Sequence, residues 1–304
     1  MKAANVAAPV AISGAVLAAL IALYLIWGST YLAIRFALEV FPPLLLAGLR
    51  FLCAGAVLFA VLLARGAVLP TRAQWRGAFV IGLLLGCANA AVCFGEQSVA
   101  TGLSAVVIAS VPIWVAFFAT LFGDAPTRVE SIGLAVGLCG VVVLNLGGEL
   151  RASPAGAAVL VLSTLCWAAG SIWSRRVELP SGVMSSAAQL LCGGAALCCA
   201  GLLHGERLHP NHRALPLVAF AFLVVFGSIV GYSAYQYLLI KVRHALATSY
   251  AYVNPLVASA LGVLVLHERL APRAVAALLL ILGGVALVSL PSRRTVEAVP
   301  REPS

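Results

Sequence analysis

The side chains able to do chemistry are few in this apolar chain, and many stand one helical turn apart. Trp27 and Tyr31 are four residues from each other with Ser29 between them, and the same step separates Trp167 from Ser171, Tyr250 from Asn254 and Ser110 from Trp114. At about 3.6 residues per turn each pair shares a helix face. Asn89, Tyr232 and Gln236 add further polar groups inside long apolar runs. These residue types support non-covalent recognition: aromatic walls with a few neutral hydrogen-bonding groups suit a small amphipathic or aromatic ligand. The same groups can instead staple helices together, because a polar side chain in lipid needs a partner.

Two ionisable residues lie inside apolar runs, Arg50 and Glu96, and a charge within a membrane segment is a functional candidate by default. The reading favoured for them is a structural ion pair or outer gate, in which Arg50 pairs with Glu96 or Glu39 or extends its head group to the interface. Proton coupling and anion binding are the alternatives. No acid stands at mid-depth in a run, so proton-driven exchange has no direct support and a facilitative carrier fits as well. Catalytic signatures are lacking: there is no phosphate-binding Gly-rich loop, no zinc-type His pair and no carboxylate pair within an apolar run. His204, His209 and His212 share one loop without a Cys or acidic ligand set, so they are expected to be solvated, with no metal and no cofactor bound. The eight cysteines all fall in apolar runs without metal-type spacing and are expected to be buried small hydrophobes.

The elements that must position these groups follow from composition. With 62% hydrophobic residues, 10% charged and a mean hydropathy of +1.07 over 304 residues, the chain falls outside the soluble class. The net charge of +9 does not point to nucleic acid, because the basic residues come one to three at a time in short gaps between apolar runs. Crossing a hydrocarbon core takes about 20 apolar residues as a helix. Ten segments qualify: 11–34, 44–64, 77–97, 101–122, 130–147, 155–174, 182–203, 215–239, 245–266 and 273–290. The first is expected to be retained and not cleaved as a signal. Of the 19 Lys and Arg, twelve fall on the side that holds the N-terminus, six on the other, and Arg50 lies within a segment. Positive charge prefers the cytoplasm, so both termini are expected there.

The segment Trp27-Gly28-Ser29-Thr30-Tyr31-Leu32-Ala33-Ile34-Arg35 returns 140 residues later in degenerate form as Trp167-Ala168-Ala169-Gly170-Ser171-Ile172-Trp173-Ser174-Arg175. Pro112 answers to Pro255 at 143 residues and Asp124 to Glu268 at 144. The chain therefore reads as two related halves. Five helices per half is an odd number, so the second half enters the membrane upside down, an arrangement in which substrate binds near the midplane between the halves. Pro112 and Pro255, each near the middle of its segment, remove a backbone donor and favour a kink, either a hinge or a fixed bend. The spacings Gly82-Gly86 and Gly133-Gly137 allow close helix contact within the bundle.

On these residues the chain resembles the drug/metabolite transporter superfamily, and within it the EamA-type ten-helix exporters. The resemblance is carried by Trp27-Gly28-Ser29-Thr30-Tyr31, by Pro42-Pro43 with Leu49-Arg50-Phe51, by Pro112 and Pro255, and by Glu268 with Gly283-Gly284, and it covers nearly the whole chain. It implies two inverted five-helix repeats around a central cavity and movement of small metabolites out of the cytoplasm. Asp124 stands where the family more often has Glu, and Ala168-Ala169 replace the Gly-Ser pair, so the two half-sites should not be equivalent.

The expectation is an all-α integral membrane protein of ten transmembrane helices. It comprises a tail over 1–10, a first repeat over 11–147, an inverted second repeat over 155–290 and a polar tail over 291–304. It would sit in the inner membrane as a secondary transporter, not an enzyme, exporting amino acids or related small metabolites by alternating access. A single chain would suffice in the lipid bilayer, and no nucleic acid is involved. Export of hydrophobic drug-like compounds is the first alternative; a membrane enzyme, a lipid-handling scaffold and a channel are the others.

Overall fold

Polar residues at the ends of the apolar runs decide where the helices begin. Ser13 caps α1 (Gly14–Ala37), its hydroxyl accepting from the Val16 N–H at 3.3 Å. Thr71 and Gln74 form a capping box on α3 (Arg72–Gly95), Thr127 and Glu130 another on α5 (Arg128–Asn145), and Ser153 caps α6 (Pro154–Trp173). The start of α2 (Pro43–Ala64) has no side-chain cap of its own. The Glu206 carboxylate, from the other half, accepts instead from the Leu44 and Leu45 N–H groups at 3.1 and 2.8 Å, placing a negative charge at the positive end of the helix dipole. Further helices among the described residues are α4 (Val111–Leu121), α7 (Val183–Leu203), α8 (Ala214–Lys241), α9 (Tyr250–Leu266, after a single turn at His244–Ala247) and α10 (Arg273–Ser289).

This computed structural model describes residues 13–99, 104, 107–146, 153–210, 213–266 and 273–290. The expected tails over 1–10 and 291–304, together with Arg151, His212, Glu268 and Arg269, lie outside the described residues. No strand occurs among those described.

The duplication is visible in which helices touch. α2 packs on its counterpart α7 and α5 on its counterpart α10; α3 against α6 is matched by α8 against α1, and α4 against α6 by α9 against α1. Exchanging the halves maps this pattern onto itself. Glycines permit the closest approaches. A methyl built on Gly193 of α7 would lie 2.8 Å from the Gly82 carbonyl carbon of α3, and one on Gly194 would lie 2.5 Å from the Leu52 nitrogen of α2. Both glycine spacings singled out in the sequence are thus used inside the bundle, since Gly133 and Gly137 of α5 meet Gly284 of α10 in the same way.

Among the described residues six helices are long and apolar enough to cross a membrane: α1, α2, α3, α6, α7 and α8. The segment expected over 101–122 differs most. Its helix α4 has 11 residues, or about 16 Å at 1.5 Å per residue, and a turn at Ala109–Ser110 separates it from helical residues at 104 and 107–108. Pro112 therefore stands in the first turn of a helix and not at mid-helix, a position where its missing N–H would have had no partner in any case. Pro255 does lie inside its helix.

The outward faces are apolar. Leu17, Ile21 and Leu25, a stripe along α1, are 51%, 48% and 58% exposed, a surface that lipid solvates and water does not. Cys53, Cys139 and Cys199 are also exposed, which corrects the expectation that all eight cysteines are buried. On a lipid-facing surface a thiol behaves as a small apolar group, so exposure carries little cost.

Candidate functional site

The two tryptophans of the repeated segment meet at the centre of the bundle. Trp27 of α1 and Trp167 of α6 pack edge to face with centroids 5.3 Å apart and planes at 80°. Tyr250 of α9 packs edge-on against Trp27 at 4.7 Å, and Tyr235 of α8 touches both indoles at 5.3 Å. Offset and edge-to-face contacts are the arrangements aromatic quadrupoles favour.

The halves hold their tryptophans differently. The Trp27 indole N–H donates to the Gly227 carbonyl at 3.0 Å. That carbonyl belongs to Leu223–Val230, a stretch of α8 wound as a π-helix, the wider winding often found at functional positions. Trp167 donates to the Tyr235 hydroxyl at 3.1 Å, Tyr235 bonds to Ser171 at 2.5 Å, and Ser171 donates to the Trp167 carbonyl at 2.6 Å. With Ser171 spending its proton on that carbonyl, Tyr235 must be the donor to Ser171, and the three groups close a loop.

Beside this cluster lies a cavity of about 80 Å³ between the halves. Among the residues named from the sequence, Trp27, Tyr31, Asn89, Trp167, Tyr232, Tyr250 and Asn254 line it, and so does Arg50. Ser29, Trp114, Ser171 and Gln236 do not line it. The Ser29 hydroxyl donates to the Ile26 carbonyl of its own helix, and Trp114 packs against Phe117 with centroids 6.3 Å apart. Ser171 stands behind Trp167. Gln236 donates to the Gln189 side chain of α7 at 3.1 Å, and the Tyr232 hydroxyl donates to the same oxygen at 2.9 Å, so Gln236 staples α8 to α7. Sequence reading missed Thr30 and Ser163, which line the cavity, and Tyr235 and Gln189, which organise its walls. Tyr235, three residues after Tyr232, and Gln189, a lone amide in an apolar run, were the available signals.

The ionisable residues take unexpected places. Arg50 is 4% exposed, and its guanidinium donates from Nε to Ser228 at 3.0 Å and from Nη2 to Asn89 at 3.1 Å. It pairs with neither Glu96 nor Glu39; no carboxylate lies within ion-pair distance of it among the described residues. Glu39 instead meets Arg213 at 3.4 Å. Glu96 follows the last turn of α3, its Oε1 buried without a hydrogen-bond partner among the described residues. No group of His, Cys, Asp and Glu suited to a metal occurs among the described residues.

A second polar cluster joins the halves at one end of the bundle. Arg243, between α8 and α9, pairs with Glu130 of α5 and reaches Asp124 at 3.7 Å and the Ala125 carbonyl at 3.3 Å. Arg175 donates to the Val242 carbonyl at 2.7 Å, and the Arg176 guanidinium lies 4.0 Å over the Phe122 ring. Burial, with Arg175, Arg176 and Arg243 nearby, pushes the His244 imidazole down to about 3. His244 is thus neutral at physiological pH, and its 3.7 Å approach to Asp124 is no ion pair there.

The two site serines differ in a measurable way. Ser171→Ala breaks the loop and removes the acceptor of the buried Tyr235 O–H, while Trp167 still donates to its oxygen, a loss of about 1–3 kcal/mol. Ser29→Ala removes only a bond back to its own helix and should change stability by less than about 0.5 kcal/mol. Thermal unfolding of the detergent-solubilised variants checks this.

An apolar exterior and a cavity between two like halves fit a membrane transport protein. It belongs to the EamA-like transporter family, whose pattern matches residues 12–146 and again 154–290. The chain is 44% identical over 274 residues to the uncharacterized inner membrane transporter YedA of Escherichia coli K12, covering 90% of each. It is 27% identical over 281 residues to the uncharacterized transporter YvbV of Bacillus subtilis, covering 89% of this chain and 90% of that one. A solved crystal structure at 25% identity superposes with a TM-score of 0.76 over 93% of this chain and all of that one. The EamA-type family read from the repeated motifs is thereby shown.

Proposed function

We propose that this chain is an inner-membrane secondary carrier exporting small metabolites, amino acids or related compounds, by alternating access. Its ten helices cross the membrane as two inverted halves with both termini in the cytoplasm. The observation that carries the reading is the aromatic-walled cavity at the interface of the halves, where carriers of this architecture bind substrate near mid-membrane. Rocking of one half on the other, with flexing beside Pro255 and at the turn preceding Pro112, exposes it to each side in turn. The excess of Lys and Arg in alternate loops supports the orientation. At about 80 Å³ the cavity is roughly half the 150 Å³ that holds a benzene molecule, which favours a small metabolite over a bulky drug-like compound in this conformation.

The test is uptake of labelled amino acids into proteoliposomes, with and without a pH gradient and against protein-free vesicles. Saturable flux of one component supports the reading. Absence of flux from folded protein, followed by flux of lipophilic compounds, would favour the drug-like alternative.

A further inference from the structure

Resting on the carrier reading, we propose that Arg50 is a carboxylate anchor, and that the substrate is a small carboxylate carrying a hydrogen-bond donor, as an α-amino acid does. A guanidinium keeps its charge at any physiological pH, so burial cannot neutralise it, and an isolated buried charge is costly unless a counter-charge meets it. Arg50 lines the cavity at 4% exposure. Its protein partners, the Ser228 hydroxyl, the Asn89 amide and the Phe51 ring with its centroid 5.4 Å from the guanidinium carbon, are neutral. Among the described residues lining the cavity none is Asp or Glu. The counter-charge is therefore supplied by what enters.

Geometry agrees. Ser228 holds Nε and Asn89 holds one N–H of Nη2, which fixes the guanidinium plane and leaves Nη1 without a partner among the described residues. A planar fork held on one edge and free on the other is the shape that carboxylates bind in parallel hydrogen bonds. The π-helical turn contributes to this: Ser228 lies within it and donates to the Leu223 carbonyl at 3.1 Å, so its oxygen accepts from Arg50.

A second group in the same cavity is unsatisfied in the opposite sense. Asn254, 3% exposed and with its amide group against the Tyr31 hydroxyl, has its side-chain oxygen buried with no hydrogen-bond partner among the described residues. A buried amide oxygen needs a donor, and an ammonium or hydroxyl on the ligand supplies it while the aromatic faces of Trp27 and Tyr250 cover the carbon skeleton. The cavity thus offers a cationic donor, a neutral acceptor and apolar walls, the complement of an amino-acid zwitterion. A lipophilic cation would meet Arg50 with like charge.

The experiment compares shape-matched pairs, propionate with propionamide and alanine with alaninamide. Binding to purified wild type is read by intrinsic tryptophan fluorescence and flux by proteoliposome uptake. The expectation is that each carboxylate binds at least tenfold more tightly than its amide. Arg50→Gln should reduce that ratio below about threefold while amide binding is kept, and Arg50→Lys should restore part of it. Retained amide binding shows that the variant site is folded. Wild type that carries amides or cations as well as carboxylates overturns the anchor and leaves the carrier reading intact, as does an Arg50→Gln variant with an undiminished ratio. No binding and no flux of any class by folded protein overturns both.

Discussion

Gly284→Ala is expected to destabilise the protein by about 1–3 kcal/mol, the cost of forcing atoms into a filled interface, whereas Gly283→Ala, one residue away, is neutral or raises stability by up to about 1 kcal/mol. The difference lies in what each new methyl would meet. At Gly284 it would lie 2.7 Å from the Gly133 oxygen, 2.7 Å from the Gly137 nitrogen and 2.8 Å from the Gly137 α-carbon. All three are backbone atoms of α5, which cannot rotate aside, so α5 and α10 must separate along their length. In a bilayer that separation is especially damaging, because helix association relies on close van der Waals packing and not on exclusion of water. At Gly283 the methyl would meet nothing within 4 Å, and the gain in helix propensity remains. Loss of helical circular dichroism on heating in detergent reads both. Equal behaviour of the two variants would mean that α5 and α10 do not approach as described.

What the sequence showed and what it hid divide along a physical line. Apolar length and the repeat were readable because lipid imposes them residue by residue, and the family followed from them. Helix ends were less visible: α3 begins at Arg72 and not at 77, because its first turn is polar and its start is set by the Thr71–Gln74 capping box, to which hydropathy is blind. The break before α4 was hidden for the converse reason, since turn and helix there share one apolar composition, and Pro112 marked a start that was read as a kink. The π-helical stretch of α8 leaves no compositional trace. Candidate side chains spaced for one face could be picked out, but not their partners. Gln236 and Ser171 stood out as polar groups, yet only the fold shows that Gln189 and Tyr235 satisfy them from other helices. Arg50 was legible as an anomaly, while its lack of a carboxylate partner was not. Asp124 was legible as the counterpart of Glu268, but its neighbour Arg243 was not.

Arg243→Met is expected to weaken the contact between the halves and to raise amide hydrogen exchange at least tenfold in residues 122–130 and 242–249. Arg243 belongs to the second half, whereas Glu130, Asp124 and the Ala125 carbonyl belong to the first, so this one guanidinium ties the two units that must move apart if access alternates. The Glu130 side chain is 3% exposed, and its other oxygen already accepts from the Thr127 N–H at 2.7 Å. Removing the arginine leaves a buried carboxylate with one hydrogen bond and no adjacent counter-charge. Breaking such a pair costs about 3–5 kcal/mol where nothing else satisfies the ion; the capping bond brings the expected figure to about 2–3 kcal/mol. Since about 1.4 kcal/mol is a tenfold shift in an equilibrium, the closed arrangement at this end loses at least that factor against the alternative. Glu130→Gln separates the lock from the cap: the amide still accepts from Thr127, and the neutral side chain asks less of Arg243, so the exchange increase should be smaller than in Arg243→Met. His244 adds no proton dependence at neutral pH, because its imidazole is uncharged there. Unchanged exchange in Arg243→Met would show that packing of Arg176 on Phe122 holds this end closed without the ion pair.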